Sequence, residues 1–383
     1  MSEIKVNSIK GVGASAAAIT VNNTDGTCTA NITSVNGGQL GNRNLLMNGD
    51  MQISQRNGDT SVAVTGNVYT LDRWQVVNDA GSSKFTVQQV DDAPVGLKKS
   101  LKMTSSSAYS VPATEAHGIG QKIEGLNTNQ LMFGSSNAKS ITISFFVKTS
   151  LTGTFSGSVL NQDMYRGYPW TYTINSADTW EYKTVTVAGS QDGTWLLDNR
   201  EGMRIFWNIG SGTSRSGTAG QWSTAQYTFG ATGATSVVGT NAATLQITGC
   251  QVEEGSVATD FEHRSFGQEL ELCRRYFQVL VDDGSGKSFG NGTCFTSTNM
   301  HLILQLCPNM RAKPTIDQTT GSNYYRMFRS GAEDTFDQFS LEASPSSERM
   351  VDLFATGGTG VQGASALLRT DNASAKIRFS AEL

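Results

Sequence analysis

Residues 44–56 read NLLMNGDMQISQR, and residues 69–74 read YTLDRW. Three apolar residues followed by Asn-Gly-Asp, with alternating residues after them, read as the opening of a β-sandwich module. A matching closing segment lies far downstream, where residues 245–255 read LQITGCQVEEG and residues 256–264 read SVATDFEHR. The two segments therefore frame one large all-β domain.

The composition also favours β-structure. The chain has 383 residues, of which 41 are Gly and only 16% are charged, and this length suggests two or three domains. The formal net charge of -4 provides no general attraction to a phosphate backbone or an anionic membrane, so we expect neither nucleic acid nor a membrane as a partner.

Neither a transmembrane segment nor a secretory signal is expected from the sequence. No run of apolar residues has the length of a membrane span, about 18 residues or more. Residues 1–5 read MSEIK and lack the charged-then-apolar order of a signal peptide. We therefore expect a soluble protein that does not use the usual secretory route.

Cysteine usage indicates a reducing compartment. The cysteines are odd in number and scattered, and no Cys-x-x-Cys pair occurs, so neither a disulfide framework nor a zinc site is predicted. Buried free thiols are the expected role. The five positions are Cys28, Cys250, Cys273, Cys294 and Cys307.

The chain divides into four predicted regions: an arm (1–43), a sandwich (44–262), a helical neck (263–280) and a tip (281–383). The arm is too poor in apolar residues to bury a core of its own, so we expect it to intertwine with identical copies or to dock onto another protein. Its alternating apolar positions are Ile4, Val6, Ile19, Val21, Ile32 and Val35.

The sandwich region reads as strand after strand, separated by clusters of Gly, Asn, Ser and Asp. None of the six prolines falls inside the main candidate strands, and no long helical segment intervenes, so two packed antiparallel sheets are predicted, preferably as a jelly roll. The main candidate strands are 84–90, 140–148, 180–187, 203–209 and 243–252.

The neck contains the one helix that the sequence predicts, from Phe266 to about Leu280. Its apolar residues recur at intervals of four and three, as in the a/d seam of a coiled coil. Two heptads are short for an independent coiled coil, so the helix either packs on its own sandwich or joins copies of the chain. The seam residues are Phe266, Leu270, Cys273, Phe277 and Leu280.

The tip returns to β-structure, and a small antiparallel β-sandwich is predicted there. Its final candidate strand, 375–383, is expected to be part of the folded tip. The candidate strands are 300–307, 310–316, 324–328, 336–341, 350–354 and 375–383.

The opening Asn-Leu-Leu-x-Asn-Gly at 44–49, with Arg73-Trp74 after it, resembles carbohydrate-binding jelly-roll modules. Residues 251–264, followed by LCRRYF at 272–277, are similar to tail-fibre and receptor-binding proteins of bacteriophages. The MRAKP turn at 310–314 and the segment IRFSAEL at 377–383 resemble the distal tip of such fibres.

This resemblance implies a homotrimeric virion protein that is assembled in the cytoplasm of the bacterial host. Its N-terminal arm would attach to tail or portal-associated proteins, and its distal β-domains would contact a glycan on the host surface.

A sugar-binding site needs flat aromatic faces and planar polar side chains, and the stretch 161–172 supplies both. The alternative is that half of its aromatic residues are core, because aromatic side chains dominate core energetics. The candidate ligand residues are Asn161, Gln162, Asp163, Tyr165, Arg166, Tyr168, Trp170 and Tyr172. We expect four other tryptophans, Trp74, Trp195, Trp207 and Trp222, in the core or at sheet edges.

A second candidate surface lies in the tip at Tyr324, Tyr325 and Arg326. It is rich in the residue types that form binding hot spots. The alternative is a strand in a trimer interface.

No catalytic residue is predicted. None of His117, His263 and His301 lies beside a recognisable nucleophile, and neither Gly-x-Ser-x-Gly nor His-Glu-x-x-His occurs. A glycosidase would need two carboxylates about 5 to 9.5 Å apart across one sugar bond. The acids available to such a pair are Asp163, Asp192, Asp198 and Glu201.

No cofactor and no metal site is predicted. Calcium is a weaker hypothesis, with oxygen ligands at Asn48, Asp50 and Asp260, because EF-hand spacing is absent.

Three functions follow, in order of preference. The first is a non-enzymatic trimeric tail fibre that adsorbs the virus to a cell-surface glycan. The second is a structural virion protein that decorates the tail or capsid without binding glycan. The third is a tail enzyme that degrades glycan.

Overall fold

The computed structural model describes residues 8–9, 19–21, 28–30, 42–282, 284–329 and 332–383. The arm strands are β1 (Ser8–Ile9), β2 (Ile19–Val21) and β3 (Cys28–Ala30), and they pair as an antiparallel sheet in the order β1-β2-β3. Predicted positions Ile19 and Val21 lie on β2. The other four, Ile4, Val6, Ile32 and Val35, lie outside the described residues, as does most of the arm.

The next strands belong to the region that the opening and closing segments frame. They are β4 (Val62–Ala63), β5 (Val68–Tyr69), β6 (Trp74–Asn78), β7 (Phe85–Val90), β8 (Ser100–Ser105), β9 (Ala116–Glu124), β10 (Ile141–Thr149), β11 (Gly153–Leu160), β12 (Gly167–Ile174), β13 (Glu181–Val187), β14 (Glu201–Ser211), β15 (Ser216–Gly217), β16 (Gly230–Ala231) and β17 (Thr244–Glu254).

Most of these strands form two six-stranded sheets. Sheet A has the order β13-β10-β17-β8-β7-β4, and sheet B has the order β12-β11-β14-β9-β6-β5. All neighbours within the two sheets are antiparallel. The predicted all-β fold is confirmed, and each of the five main candidate strands corresponds to an observed strand.

Alternating side chains explain why these segments form strands. Along β7, every second residue, beginning with Phe85, is buried, and the residues between are half-buried. Successive side chains of a strand point to opposite faces, so such a pattern covers one face with core.

An aromatic cluster fills the space between the sheets. The ring of Phe145 on sheet A lies 5.7 Å from that of Trp170, 5.1 Å from that of Tyr172 and 5.5 Å from that of Trp207, all on sheet B. Trp74 lies 5.5 Å from Trp207. Trp74 and Trp207 are fully buried and Trp195 is 9% exposed; of the predicted core or sheet-edge positions, these three tryptophans are core residues. Trp222 is half-buried.

Asn44 joins the opening segment to the closing strand. Its side-chain oxygen accepts hydrogen bonds from the backbone N–H groups of Leu46 and Val252, each at 3.0 Å, and its side-chain nitrogen donates to the carbonyl of Cys250 at 3.0 Å. The backbone N–H of Leu45 also donates to the Val252 carbonyl at 2.8 Å. The two segments that frame the domain in the sequence are therefore in direct contact.

Asn48 fixes the turn after that contact. Its side-chain nitrogen donates to the carbonyls of Ile53 and Asp72, at 2.8 and 3.0 Å, and its own carbonyl accepts from the indole of Trp74 at 2.9 Å. The neighbouring Gly49 lies against the closing strand, where a Cβ would come within 2.2 Å of the Cys250 carbonyl oxygen. Only glycine fits there.

A bulge in β17 keeps the core pattern in register. Ser144 pairs with Gln251 while Phe146 pairs with Thr248, so Gly249 and Cys250 together oppose one residue of β10. Gly249 has φ of +58°, and a Cβ on it would meet the Phe146 ring at 3.0 Å. The bulge returns Cys250 to the core and leaves room for the Phe146 ring on the outer face.

The neck helix is shorter than predicted. Helix α1 spans Phe266–Arg274, with Ser265 as N-cap accepting from the Gln268 N–H at 3.3 Å. The prediction that it continues to Leu280 is wrong, because residues 277–281 are a strand that pairs with the end of the tip. The alternation Phe-Gln-Val-Leu-Val, rich in β-favouring residues, outweighs the helical spacing. Within the described residues, no helix has the length and hydrophobicity to cross a bilayer.

The five seam residues accordingly have different environments. Phe266 is 57% exposed, Leu270 is half-buried, and Cys273 is fully buried. Phe277 and Leu280 lie on a strand instead of the helix. A coiled-coil seam along this segment is therefore limited to its first three members.

The tip strands form two further sheets. The strands are β18 (Phe277–Val281), β19 (Ser288–Cys294), β20 (Asn299–Gln305), β21 (Thr315–Gln318), β22 (Tyr325–Arg329), β23 (Ala332–Phe336), β24 (Ser340–Leu341), β25 (Met350–Thr356), β26 (Ser365–Thr370) and β27 (Ile377–Ser380). Their orders are β18-β27-β21 and β23-β22-β26-β19-β20-β25-β24. A second hydrophobic core, separate from that of the sandwich, packs between them, as expected for a small β-sandwich.

Buried ion pairs join the tip to the sandwich. The Glu382 carboxylate, 6% exposed, contacts the guanidinium groups of both Arg73 and Arg56. Arg73 also stacks on the Tyr276 ring at 3.4 Å. The main-chain oxygen of Leu383 accepts from the hydroxyl of Tyr69 at 2.7 Å.

The four cysteines whose side chains the structure describes follow the prediction with one exception. Cys250, Cys273 and Cys294 are buried and free, and burial raises the pKa of the Cys250 and Cys273 thiols well above its ordinary value. Cys307 is free and exposed, so the prediction of a buried thiol is wrong there.

Candidate functional site

The predicted ligand group at 161–172 divides between the core and the surface. Tyr168, Trp170 and Tyr172 are 8%, 1% and 6% exposed and belong to the sandwich core. They alternate with exposed Thr171 and Thr173 on β12, and the core lies on the aromatic side of this strand. These three rings cannot stack on a surface ligand in this arrangement.

The remaining members of that group form the turn before β12. Asn161 is buried, and its side chain bonds the Thr194 carbonyl and the Arg166 N–H, both at 3.0 Å. Tyr165 is 53% exposed, and Arg166 forms an ion pair with Asp192. The exposed or half-buried residues that could still contact a ligand are Gln162, Asp163, Tyr165 and Arg166.

In the tip group, Tyr325 is a core residue. It is fully buried, and its hydroxyl donates to the backbone carbonyls of Thr319 and Lys376, each at 2.8 Å. Burial raises the pKa of Tyr325 to about 12. Tyr324 is half-buried, and Arg326 pairs with Glu333 and Asp371. The three residues therefore do not present one common aromatic surface.

An aromatic surface that the sequence reasoning did not identify lies on the outer face of sheet A. It consists of Phe146, Trp180 and Tyr182, which we call the aromatic row. Phe146 on β10 is directly opposite Tyr182 on β13, and their ring centroids are 5.0 Å apart. Tyr182 is 46% exposed, and Phe146 and Trp180 are half-buried.

Two charged residues, Lys148 and Asp92, contact Trp180 at the end of the aromatic row. The Lys148 ammonium lies 5.2 Å from the centre of the Trp180 ring, within cation–π range. It also forms an ion pair with Asp92, and the Trp180 indole N–H donates to the same carboxylate at 3.3 Å. These contacts orient the indole and leave polar groups beside it.

The surrounding loops leave the aromatic row open. On the rest of this face, the Thr248 hydroxyl donates to the Lys99 carbonyl at 2.7 Å, and the Thr142 hydroxyl donates to the Gly255 carbonyl at 2.8 Å. The loop at 91–99 therefore lies over β17, and the segment from Gly255 reaches Thr142 on β10 and Thr186 near the end of β13, whose hydroxyl donates to the Ser256 carbonyl at 3.2 Å. Tyr182, nearer the start of β13, remains 46% exposed.

The outer face of sheet B offers no comparable surface. Phe206 on β14 is fully buried, and its ring lies 5.1 Å from that of Phe229, which precedes β16. The same ring approaches Gly118, where a Cβ would come within 2.5 Å of it. The segment between β14 and β16 thus covers this face with a small apolar cluster.

A signal for the aromatic row is present in the sequence. Trp180 and Tyr182 alternate with Glu181 and Lys183, and they share a face with Thr184. Valines at 185 and 187 mark the opposite face as the core side, so the two aromatic residues belong to the solvent side. Consecutive Phe145 and Phe146 on the neighbouring strand likewise place one phenyl ring on each face.

A cleft of about 340 Å³ lies between the opening segment and α1. It has apolar walls and several side-chain amides, but no aromatic ring lines it. Its lining residues are Asn42, Asn44, Leu45, Met47, Leu126, Asn127, Gln130, Arg264 and Leu272.

The described residues contain no group of three or more His, Cys, Asp or Glu side chains that could hold a metal ion. Of the residues considered for calcium, Asn48 uses its side chain in hydrogen bonds within its own turn, and Asp50 accepts from the Gln52 amide. Of the acids considered for catalysis, Asp192, Asp198 and Glu201 each form an ion pair with an arginine. These three acids are thus paired with cations, and the residues considered for calcium give no basis for proposing a metal centre.

No family model and no curated protein matches the chain. Among solved structures, the enzymatically active domain of tailspike protein 4 from bacteriophage CBA120 is 12% identical with a TM-score of 0.31, covering 55% of this chain and 21% of that one. A putative sugar-binding protein from Bacteroides thetaiotaomicron is 11% identical with a TM-score of 0.34, covering 55% and 100%. A xylan-binding domain from Paenibacillus barcinonensis is 13% identical with a TM-score of 0.24, covering 53% and 99%. These likenesses are too distant to support an argument about this chain.

Proposed function

We propose that this chain is a non-enzymatic bacteriophage tail fibre that binds a glycan on the surface of the host cell. The observation that carries the proposal is the aromatic row on sheet A, the outward-facing rings of Phe146, Trp180 and Tyr182 beside Lys148 and Asp92.

The chemistry of this surface suits a sugar. A pyranose ring has an apolar C–H face and a rim of hydroxyl groups, so it needs a flat apolar platform with hydrogen-bonding groups at its edge. Aromatic rings provide such a platform at low entropic cost, and small-ligand sites combine them with a few well-placed polar groups. Here Tyr182 and Trp180 supply the platform, and Lys148 and Asp92 supply the polar edge.

The proposed place in the virion rests on the sequence features at 251–264 and 310–314. The fibre acts in the virion tail after assembly in the bacterial cytoplasm, with the arm attached to tail or portal-associated proteins and the sandwich directed to the host. The aromatic row needs no reacting group, so binding occurs without catalysis.

A structural virion protein without glycan binding is the second candidate, and the tip favours it. Phe295, Ile303 and Met350 are 64%, 63% and 45% exposed on or beside the outer face of the seven-stranded sheet. Large apolar side chains grouped on one face are typical of contacts between proteins.

Assembly as a homotrimer is the first prediction. Size exclusion with light scattering is expected to give about three times the chain mass of 41.0 kDa, since Phe266 of α1 and the apolar tip face are both exposed. A mass near that of a single chain would contradict the trimer, although it would leave glycan binding by the sandwich untouched.

The second prediction concerns the aromatic row. Trp180→Ala and Tyr182→Ala are each expected to weaken binding of the glycan selected on an array about 30-fold, since truncating an aromatic anchor costs about 2 kcal/mol. Isothermal titration calorimetry measures the loss, and thermal melting checks the fold.

The matched control for this prediction is Tyr165→Ala, which removes a tyrosine of similar exposure, 53% against 46% for Tyr182, from the sequence-predicted group. Its affinity is expected to equal that of the unchanged protein. A loss of affinity in Tyr165→Ala, with none in Trp180→Ala or Tyr182→Ala, would place the site at the turn before β12. If the protein binds no glycan, the structural virion protein is the remaining candidate.

A further inference from the structure

The Asp92 carboxylate lies at the edge of the aromatic row, where donors from three strands or strand ends converge on it. Lys148 pairs with it, the Trp180 indole N–H donates to it at 3.3 Å, and the Gln246 side chain bonds it as well. Partial burial alone would raise the pKa of Asp92, but the hydrogen bonds from Lys148 and Trp180, the charge of Lys148 and the bond from Gln246 lower it. These three donors, Lys148, Trp180 and Gln246, form a carboxylate cradle.

A second lysine, Lys102, lies across β17 from Lys148. Gln246 on β17 is directly opposite Lys148 on one side and Lys102 on the other. Neighbouring strands lie about 4.8 Å apart, so the two lysine backbones are roughly 10 Å apart across the sheet. In the part of the chain that the structure describes, Lys102 has no ion-pair partner. Without Asp92, two cations would face the edge of the aromatic row.

The Asp92 side chain can leave the cradle without unfolding its loop. The loop backbone is held independently, because the Ser100 hydroxyl donates to the Asp92 carbonyl at 2.6 Å and the Thr248 hydroxyl donates to the Lys99 carbonyl at 2.7 Å. The Asp92 side chain itself is 43% exposed. A rotation about its side-chain bonds suffices to move the carboxylate into water.

We propose that the aromatic row recognises an acidic sugar, whose carboxylate replaces that of Asp92 in the carboxylate cradle. This inference rests on the proposed function and names the class of its glycan. Asp92 then acts as an internal competitor: it keeps Lys148 paired and Trp180 oriented while no glycan is bound. A neutral sugar can stack on the rings but cannot displace Asp92, because it offers the cradle no charge in exchange.

The experiment compares acidic and neutral forms of the same glycans. The full-length protein is titrated with a panel of uronic acid and sialic acid oligosaccharides, and with the same oligosaccharides after reduction of their carboxyl groups. We expect at least one acidic member to bind roughly tenfold tighter than its reduced form, because hydrogen bonds to charged groups are the stronger ones. The preference is expected to shrink at high salt.

Three variants then test the replacement. Asp92→Asn keeps the side-chain shape but removes the competing charge, and it is expected to raise the affinity for the acidic oligosaccharide several-fold relative to that for the reduced form. Lys148→Met is expected to abolish the preference for the acidic form. Asp91→Asn is the matched control, because Asp91 pairs with Lys99 on the same loop and contacts none of the cradle donors; it is expected to behave as the unchanged protein.

The outcomes separate this inference from the proposed function. Equal affinity for acidic and reduced forms overturns the acidic class but keeps glycan binding. If Asp92→Asn weakens the binding of both forms equally, the replacement of Asp92 by the sugar carboxylate is overturned, since Asp92 would then only position Trp180. Failure to bind any glycan, including neutral array members, overturns the proposed function together with the inference.

Discussion

Glu382→Gln is expected to destabilise the protein by about 3 to 5 kcal/mol, the usual cost of breaking a buried ion pair by removing one partner. The Glu382 carboxylate contacts Arg73, whose side chain is 1% exposed, and Arg56, whose side chain is 11% exposed. Burial would lower the pKa of Arg73, but the neighbouring charge of Glu382 raises it above its ordinary value. Arginine is always protonated at physiological pH, so the guanidinium stays charged in the variant and has lost its counter-ion.

The destabilisation is expected to act at the junction between sandwich and tip. Arg73 also stacks on Tyr276 at 3.4 Å, and Arg56 stacks on Phe277 at 3.6 Å. Both rings belong to the segment that leads from α1 into β18. Loss of the ion pairs thus loosens the contact that orients the two units.

Urea unfolding measures this effect, and Glu348→Gln is the control. Glu348 and its partner Arg349 have side chains that are 46% and 70% exposed, and pairs of this kind contribute little to stability. The control is expected to change the free energy of unfolding by less than about 1 kcal/mol. A similarly small change for Glu382→Gln would show that the buried pair is not needed for the junction.

Trp207→Ala is expected to destabilise the sandwich by about 3 to 5 kcal/mol, as is usual for truncating a buried tryptophan. Trp207 is fully buried on β14, and its ring meets Phe145, Trp170 and Trp74 at 5.5, 5.9 and 5.5 Å. Removing the indole leaves a large cavity between the two sheets, and the surrounding rings cannot close it without leaving their own positions.

Trp207→Phe separates the packing effect from the polar one. It retains a ring and removes an indole N–H that has no hydrogen-bond partner in its buried position, so it is expected to cost less than half as much as Trp207→Ala. Chemical denaturation followed by circular dichroism measures both variants. An Ala variant as stable as the Phe variant would contradict the account of the core.

Much of the fold could be predicted from the sequence because the strands alternate clearly. The five main candidate strands of the sandwich correspond to strands in the structure, since their side-chain period of two persists over most of each segment. The helix was predicted too long for a related reason. Spacings of four and three continue through Phe277 and Leu280, which fits a helix. Residues 277–281 also fit the alternation of a strand, and pairing with β27 stabilises the strand.

The candidate site was harder to predict because alternation does not say which side of a strand is core. In the stretch 161–172, the aromatic residues predict a surface site, yet sheet B turns Tyr168, Trp170 and Tyr172 inward. At Trp180 and Tyr182 the aromatic residues share a face with Thr184, which is the less usual arrangement, and the valines at 185 and 187 mark the opposite face as core. The packing of loops decides how much of each outer face stays open, and local sequence does not encode it.

Contacts between residues far apart in the chain were beyond sequence reasoning. Glu382 meets Arg73, 309 positions earlier, and no local pattern links the two. The same holds for Asp92 and Lys148, which are 56 positions apart. Such pairs depend on the finished arrangement of both sheets, so the junction and the carboxylate cradle became visible only in three dimensions.

The central claim is that the aromatic row binds the host glycan, and a crystal structure of the protein with the glycan selected on the array tests it most directly. The account predicts a sugar ring stacked on Tyr182 or Trp180, with carbon atoms about 4 Å from the aromatic ring and a polar group near Lys148. A sugar bound at the turn around Tyr165, on the tip or in the cleft beside α1, with the aromatic row in contact only with water, would contradict it.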